Sequence, residues 1–320
     1  MLRISLVIPF YGVEKYIRTC LESVFSQDVP KSDYEVICVN DCSPDNSESI
    51  VREFMSKHDN LSLLCHETNQ KLGAARNTGL QNAQGEYVWF IDSDDYIRPN
   101  CLKEIIRICE NEDLDILHWS IQDNLGRWML RLKESQVYTG IDDLLYGSRD
   151  MTYPWNRVYK REFLLSNNLW FNHLWGGDVI HTIQSLNVAA RMKNVQDCYY
   201  FYRVDNLSSD MRSPVTADKI ISFSYILGKA LDDSTGSLNP LLHPLMKECV
   251  EWRVNQSFKP ILRLPFNERL AFYKTMFRET ELRQYVFKTA NWKVNLALRF
   301  PFLSLLISCP YRILREIHNR

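Results

Sequence analysis

The chain has 320 residues, of which 45% are hydrophobic, and carries a formal net charge of -1 with a sequence pI of about 6.7. This length is enough to bury a sizeable core in one large domain, or in one domain with a helical appendage. The near-neutral charge excludes the global basic field that sequence-independent nucleic-acid binding requires, so no nucleic-acid partner is expected.

The cysteines and the apolar runs indicate a cellular compartment. Nine cysteines are scattered along the chain without a Cys-x-x-Cys pair, which favours a reducing compartment over a disulfide framework or a structural zinc site. The N-terminal apolar run is too short for a signal peptide, and no apolar stretch is long enough for a transmembrane helix. We therefore expect a cytoplasmic protein.

Short β-rich runs alternate with helical patterns over residues 1–120, which predicts an α/β fold with a mostly parallel sheet flanked by helices. The predicted strands are residues 3–8, 35–39, 61–65, 87–91 and 115–119. Apolar residues at helical spacing predict helices around 17–25 and 50–55. Ligands of such sheets bind beyond the carboxyl ends of the strands, so the loops to inspect are 9–14, 40–47, 69–76 and 92–100.

Three carboxylates follow the fourth predicted strand in the sequence Asp92-Ser93-Asp94-Asp95. Side chains alternate along an extended backbone, so Asp92 and Asp94 are predicted to point the same way while Asp95 points elsewhere. Convergent carboxylate oxygens suit Mg²⁺ or Mn²⁺, which can bridge to a diphosphate. The alternative is a solvated acidic turn that caps the next helix.

Two further loops carry polar residues that suit a nucleotide. Asp41, in the turn after the second strand, could accept a hydrogen bond from a pyrimidine NH or a ribose hydroxyl, although aspartate is also an ordinary turn former. In the loop 69–76, Gly73 and neighbouring small residues let a helix and a ligand approach closely. Arg76 could then reach a phosphate or a base edge.

Four motifs in order resemble the family 2 glycosyltransferases of GT-A fold. They are the residues 5–11, 39–43, 73–79 and 92–95, and the resemblance extends over residues 1–210. It implies that a sugar is transferred with inversion from a nucleotide-diphosphate donor, expected to be a UDP-sugar, to a saccharide or lipid-linked acceptor hydroxyl. It also implies a role in bacterial cell-surface polysaccharide or glycan synthesis, with Mn²⁺ or Mg²⁺ as the cofactor.

The resemblance also implies roles for individual residues. Asp178 would be the catalytic base, although Gly177 replaces the usual glutamate before it and a helix N-cap is the alternative. Trp155 and Asn156 would line the acceptor side, for which an aromatic core turn is the alternative. The implied metal ligands are Asp92, Asp94 and Asp95. The implied donor-binding residues are Pro9, Phe10, Tyr11, Glu14, Asp41, Asn69, Gly73, Arg76, Asp92, Ser93, Asp94 and Arg203.

Three regions are expected from this resemblance and from the change of pattern along the chain. Residues 1–120 form the nucleotide-sugar-binding half, residues 121–214 the acceptor-side half of the same domain, and residues 215–320 a helical C-terminal region. Residues 291–320 carry five lysines or arginines against Glu316 alone. Such a basic aromatic segment could lie on the inner face of the cell membrane, or pack on the domain or in a homodimer interface.

Two other classes of protein fit parts of this pattern. A nucleotidyltransferase or receiver-like phosphotransfer domain also places carboxylates at strand ends, but it would give Asp178 no task, and the chain has no glycine-rich Walker loop. A non-catalytic nucleotide-sugar-binding module is the second alternative, which the glycine at position 177 favours slightly.

Overall fold

The structure, a computed structural model, describes residues 2–140, 153–173 and 177–206 of the chain. The expected helical region 215–320, with its basic segment 291–320, lies outside the described residues. Within the described ranges, no helix is both long enough and apolar enough to cross a membrane.

Four parallel strands form the half of the sheet that carries the predicted loops. They are β1 (Ile4–Phe10), β2 (Tyr34–Asn40), β3 (Leu61–Cys65) and β4 (Tyr87–Phe90), in the spatial order β3-β2-β1-β4. Every residue of β1 and β4 is buried, as in strands that are covered on both faces. Because the chain progresses outward from β1 in both directions, the loops after β1 and β4 are expected to diverge and to form a crevice at the carboxyl ends of these strands.

Helices cover both faces of these strands. They are α1 (Ile17–Phe25), α2 (Ser47–Met55), α3 (Lys71–Asn82) and α4 (Leu102–Asn111). Alternate residues of β1 divide between two cores, since Leu6 and Ile8 pack with α1, α2 and α4, whereas Val7 packs with α3. The period of two in the strand therefore builds the layered α/β arrangement.

The second half of the sheet contains antiparallel pairs. Its strands are β5 (Tyr96–Ile97), β6 (Ile116–Asp123), β7 (Trp128–Leu130), β8 (Arg157–Lys160) and β9 (Met192–Tyr202), with the helices α5 (Arg161–Ser166) and α6 (Gly177–Val188). β8 lies between β4 and β6 and is antiparallel to both, while β9 runs parallel to β6. The fifth predicted strand, β6, is therefore present but does not pair with β4.

One predicted loop is shorter than expected. Residues 71–76, predicted as part of a loop, form the first turns of α3. The glycines here serve packing, because a Cβ atom on Gly79 would lie 2.2 Å from the Cγ1 atom of Val7 in β1. Close helix–sheet contact overrides the low helix propensity of glycine.

Candidate active site

The acidic turn, Asp92–Asp95, follows β4 at the crevice. Its backbone is not extended, since the Asp95 N–H donates to the Asp92 carbonyl at 3.1 Å. The prediction that the side chains alternate along an extended backbone is therefore wrong. The backbone instead forms a tight turn, and the three carboxylates contact different partners. Ser93, which lies between Asp92 and Asp94 in the sequence, is buried.

Asp95 is fully buried and anchors the turn to β9. Its Oδ2 atom accepts a hydrogen bond from the Tyr200 hydroxyl at 2.6 Å, and its Oδ1 atom accepts one from the Arg203 backbone N–H at 2.7 Å. Burial raises the pKa of Asp95, and the charges of Asp94 and Asp92 raise it further. Both oxygens serve protein partners, which argues against the expected role of Asp95 as a metal ligand.

Asp92 and Asp94 each retain a carboxylate oxygen that receives no hydrogen bond from another described residue. Asp94 accepts from the Asn206 side chain at 2.8 Å through Oδ2, and Asp92 accepts from Arg76 at 2.6 Å through Oδ1. Burial raises the pKa of Asp94, and the neighbouring Asp92 carboxylate raises it further. Two close, partly desolvated carboxylates with spare oxygens are a site that a cation would stabilise.

Arg76 joins the acidic turn to α6. The residue is fully buried on α3, its Nη1 atom donates to Asp178 at 2.5 Å, and its Nη2 atom donates to Asp92 at 2.6 Å. Burial alone lowers the pKa of Arg76, but the two carboxylates raise it above its ordinary value. With both Nη atoms engaged by carboxylates, Arg76 is not directed at a phosphate as its donor-binding role requires.

Asp178 lies in the first turn of α6, where its side chain is about a third exposed (32%). Burial raises the pKa of its carboxyl group, Arg76 lowers it, and Asp92 raises it, with a net upward shift. A partly exposed carboxylate with a raised pKa can accept a proton. Asp178 and Asp92 therefore share one guanidinium at the same edge of the sheet.

Asp41 is buried and capped by the protein itself. Its carboxylate accepts hydrogen bonds from the backbone N–H groups of Gln70 and Lys71, both at 2.8 Å, and lies 2.7 Å from His66 Nδ1. The other ring nitrogen of His66 lies 2.9 Å from the Thr78 hydroxyl. Asp41 thus caps the N-terminus of α3 from a neighbouring strand, and three of its roughly four acceptor positions are in use.

The predicted donor loop after β1 is tied to the Asp41 loop. Glu14 accepts hydrogen bonds from the backbone and side chain of Asn46 at 2.9 and 3.2 Å. Pro9 and Phe10 are buried within β1, whereas Tyr11 is half exposed (50%) beyond the strand end. Of these four residues, Tyr11 and Glu14 are exposed, and the Oε1 atom of Glu14 accepts no hydrogen bond from another described residue.

The remaining donor-side predictions fall on the start of α3 and the end of β9. The Asn69 side chain accepts a hydrogen bond from the Lys71 N–H at 3.2 Å, and Gly73 packs against the backbone of Asn172. Arg203 donates through Nε to the Asp94 carbonyl at 2.7 Å. Its guanidinium lies over the Tyr16 and Tyr96 rings, 5.3 and 5.6 Å from their centroids. Arg203 therefore lies against the acidic turn.

Trp155 and Asn156 lie in the core. The Trp155 ring stacks on Tyr200 at 4.4 Å, and Asn156 donates through Nδ2 to His118 Nε2 at 2.7 Å. His118 in turn lies 3.1 Å from the Asn194 side chain. Their burial argues against direct contact with an acceptor and favours the alternative of an aromatic core turn.

Sequence reasoning missed several residues that hold these groups in place. They are His66, Asn77, Phe171, Tyr200 and Asn206. Asn77 lies inside the motif 73–79, so its position in the sequence could have indicated a role. No local sequence pattern distinguishes the other four residues. Their partners lie far away along the chain, as in the pair Tyr200–Asp95. Such pairings depend on the strand order of the sheet.

Comparison with known proteins is consistent with this arrangement. The family model described as Glycosyl transferase family 2 matches residues 5–166, just over half of the chain. The chain belongs to glycosyl transferase family 2. It is 31% identical over 217 residues to the poly(ribitol-phosphate) beta-N-acetylglucosaminyltransferase TarS of Staphylococcus aureus, covering 67% of this chain and 37% of TarS. It covers 62% of another relative, the glycosyltransferase YibD of Escherichia coli, at 31% identity over 218 residues. The chain thus spans less than two thirds of these curated relatives.

Solved structures show the same fold. A Staphylococcus aureus TarS fragment in complex with UDP-GlcNAc superposes with a TM-score of 0.72 at 23% identity, covering 96% of this chain and 89% of that one. A mannosyltransferase of Pyrobaculum calidifontis, in complex with GDP-Man and Mn²⁺, gives a TM-score of 0.56 at 17% identity, covering 90% and 84%. The expected α/β fold of GT-A type is confirmed.

Proposed function

We propose that this protein is an inverting glycosyltransferase that transfers a sugar from a UDP-sugar to an acceptor hydroxyl during synthesis of a cell-surface polysaccharide or glycan. The observation that supports the proposal is the Arg76 bridge, which links a carboxylate of the acidic turn to the partly exposed Asp178. An activated donor and an acceptor oxygen must meet at one site. The family membership and the UDP-GlcNAc bound by the TarS fragment support the donor class.

The donor would bind across the carboxyl ends of β1, β2 and β4. Tyr11 is exposed where a nucleobase could stack. The buried Asp41 carboxylate, engaged by two backbone N–H groups and His66, would support the adjacent loop instead of contacting the donor. The diphosphate would lie against the acidic turn, where Arg203 already packs. With the nucleobase near Tyr11 and the diphosphate at the acidic turn, the sugar would lie toward Asp178.

A divalent cation fits the acidic turn through two carboxylates. Among the described residues, no group of three or more His, Cys, Asp or Glu side chains is arranged to hold a metal ion. Mg²⁺ and Mn²⁺ need no such cage, because at nucleotide sites they are commonly bound by one or two carboxylates, water and substrate phosphates. We therefore assign Asp92 and Asp94 as ligands and omit Asp95. A cation held there would neutralise charge on the departing diphosphate.

Asp178 would accept the proton of the attacking hydroxyl. The attack comes from the face opposite the leaving nucleotide, so a single displacement inverts the anomeric carbon and needs no covalent glycosyl-enzyme. The raised pKa of Asp178 makes it a better base than an ordinary carboxylate, while Arg76 fixes its orientation. Trp155 would support this site indirectly by stacking on Tyr200. Asn156 would do so by its contact with His118, which pairs with Asn194 of β9.

The test is release of UDP from a panel of UDP-sugars with Mn²⁺, with water or a polyol-phosphate polymer as acceptor. Asp178→Asn should lower turnover by about 10² to 10⁴, the usual contribution of a general base, while UDP still raises the melting temperature. Asp59→Asn makes the same chemical change at an exposed carboxylate and should leave turnover intact.

Two outcomes would contradict the proposal. Unchanged turnover in Asp178→Asn would reject Asp178 as the base. Stabilisation by UDP without turnover of any UDP-sugar would instead indicate a non-catalytic binding module.

A further inference from the structure

A two-residue segment, Phe171-Asn172, lies between the helices that carry Arg76 and Asp178. The side chain of Asn77 on α3 forms two hydrogen bonds with the backbone of Phe171. It donates to the Phe171 carbonyl at 2.9 Å and accepts from the Phe171 N–H at 2.9 Å. One amide side chain thus satisfies both polar groups of this residue, as a neighbouring strand would. The 171–172 segment is therefore fixed to α3.

Two glycines, one on each of these helices, lie against the backbone carbonyl of Asn172. A Cβ atom on Gly73 of α3 would lie 2.2 Å from the Asn172 oxygen, and one on Gly177 of α6 would lie 2.3 Å from that oxygen. Both distances are far below van der Waals contact, so only glycine lets the two helices approach the segment this closely. Gly177 directly precedes Asp178, so this contact fixes where α6 begins relative to α3.

The Phe171 ring contacts Arg76, the residue that forms an ion pair with Asp178. The Arg76 guanidinium lies over this ring at 5.1 Å from its centroid. The ring also stacks on His181 of α6, with centroids 3.7 Å apart and planes at 8°. His181 lies one turn beyond Asp178, so the Phe171 ring touches both the arginine and the helix of its carboxylate partner.

We propose that the 171–172 segment positions the candidate base. Hydrogen-bonded to Asn77 and packed against Gly73 and Gly177, it holds Arg76 against Asp178. This inference rests on the proposed function, and it adds Asn77 and Phe171 to the machinery as positioning residues. It also explains the glycine at position 177, because a larger residue there would displace the segment.

Asn77→Ala tests the proposal, with Asn82→Ala as the matched control. Asn82 is on the same helix, but it donates within that helix to the Thr78 carbonyl. With the UDP-sugar turned over in the screen above, Asn77→Ala should lower kcat on the order of 10²-fold, the cost of small misplacements at a reacting centre. The KM for the donor and the dissociation constant of UDP should stay within about twofold, because no donor group is altered.

A double mutant separates positioning from general structural support. In an Asp178→Asn background, Asn77→Ala should cost nothing further in turnover, since its effect acts through Asp178. Equal losses in both backgrounds, or wild-type kcat in a folded Asn77→Ala protein, would overturn the inference. Where Asn77→Ala does not fold, Asn77→Asp serves, because it keeps acceptance from the Phe171 N–H and loses donation to its carbonyl.

The glycine contact has its own control. Gly177→Ala should lower kcat in the same way, whereas Gly85→Ala introduces a comparable clash with the backbone of Ile4 and Ser5, on another part of the sheet. At equal loss of melting temperature, Gly85→Ala should retain kcat; an equal loss of kcat in both would reduce the effect to destabilisation. If Asp178→Asn itself retains full turnover, the proposed base fails first, and the two failures are thereby distinguished.

Discussion

The Asp41 loop and the acidic turn both follow parallel strands with carboxylates, but they use these groups differently. The Asp41 carboxylate is occupied by two backbone N–H groups and by His66, so it stabilises the start of α3. Asp92 and Asp94 each keep one oxygen without a donor from another described residue. The comparison teaches that a carboxylate at a strand end can be structural or available for a ligand, and that its hydrogen-bond partners decide which.

Among substitutions in these two loops, Asp94→Asn should have the largest effect on turnover. Replacing one anionic ligand weakens the hold on the cation and on the diphosphate, so we expect turnover with Mn²⁺ to fall on the order of 10²-fold, equivalent to about 2.7 kcal/mol. The melting temperature of the metal-free protein should change little or rise, because a partly desolvated negative charge is removed. A loss of stability instead of turnover would place Asp94 with the structural carboxylates.

Asp41→Ala should show the opposite pattern. Two backbone donors and His66 lose their acceptor inside the protein, so we expect the free energy of unfolding to fall by about 3 kcal/mol. Urea unfolding measures this, and Asp59→Ala at an exposed position provides the baseline. If Asp41→Ala loses UDP binding at unchanged stability, then the Asp41 loop belongs with the ligand-binding group.

His181→Phe should alter the pH dependence of stability. Burial lowers the pKa of His181 to about 3 in the folded protein. In the unfolded chain the same ring is protonated below about pH 6.5, so acid favours the unfolded state. Stability from this neutral ring is complete above pH 6.5 and is lost as the pH falls, by about 2 kcal/mol at pH 5. The variant should lose that slope in unfolding measurements between pH 7 and 5, whereas the exposed His173→Phe should keep it.

Tyr200→Phe should have the smallest effect. It removes a hydroxyl that donates to Asp95 at 2.6 Å, so we expect a loss of about 1 kcal/mol in the free energy of unfolding. The same hydroxyl accepts a hydrogen bond from the Asp92 backbone N–H at 3.2 Å, but the variant retains the Asp92 and Asp94 carboxylates. Turnover should therefore stay within about threefold of wild type. A loss of turnover as large as that of Asp94→Asn would show that Asp95 also serves the ligand.

The sequence predicted the parallel half of the fold closely. All five predicted strands are present, and α1 and α2 lie at the apolar spacing that predicted them. These elements follow from local periodicity, which records which face of each element is buried. The strands β8 and β9 were not predicted, because they lie among irregular aromatic segments where the period of two is weak.

The sequence predicted which residues lie near the candidate site better than it predicted what each of them does. Arg76 links Asp92 to Asp178, two residues that the sequence had singled out, and Asp94 lies in the same turn as Asp92. Arg76 was expected to reach a phosphate and instead bridges two carboxylates. Asp95 was expected to bind metal and instead anchors β9, and Trp155 and Asn156 were expected at an acceptor surface but are buried.

By itself, the sequence determined the strands, the order of the loops and the residues that carry charge, because these depend on neighbours along the chain. The tertiary structure decided which carboxylates remain available. Those outcomes depend on partners such as Tyr200, Asn206 and Arg76, which meet the acidic turn through the order of strands in the sheet. A buried polar group must find a partner, and only the folded sheet determines which partner is within reach.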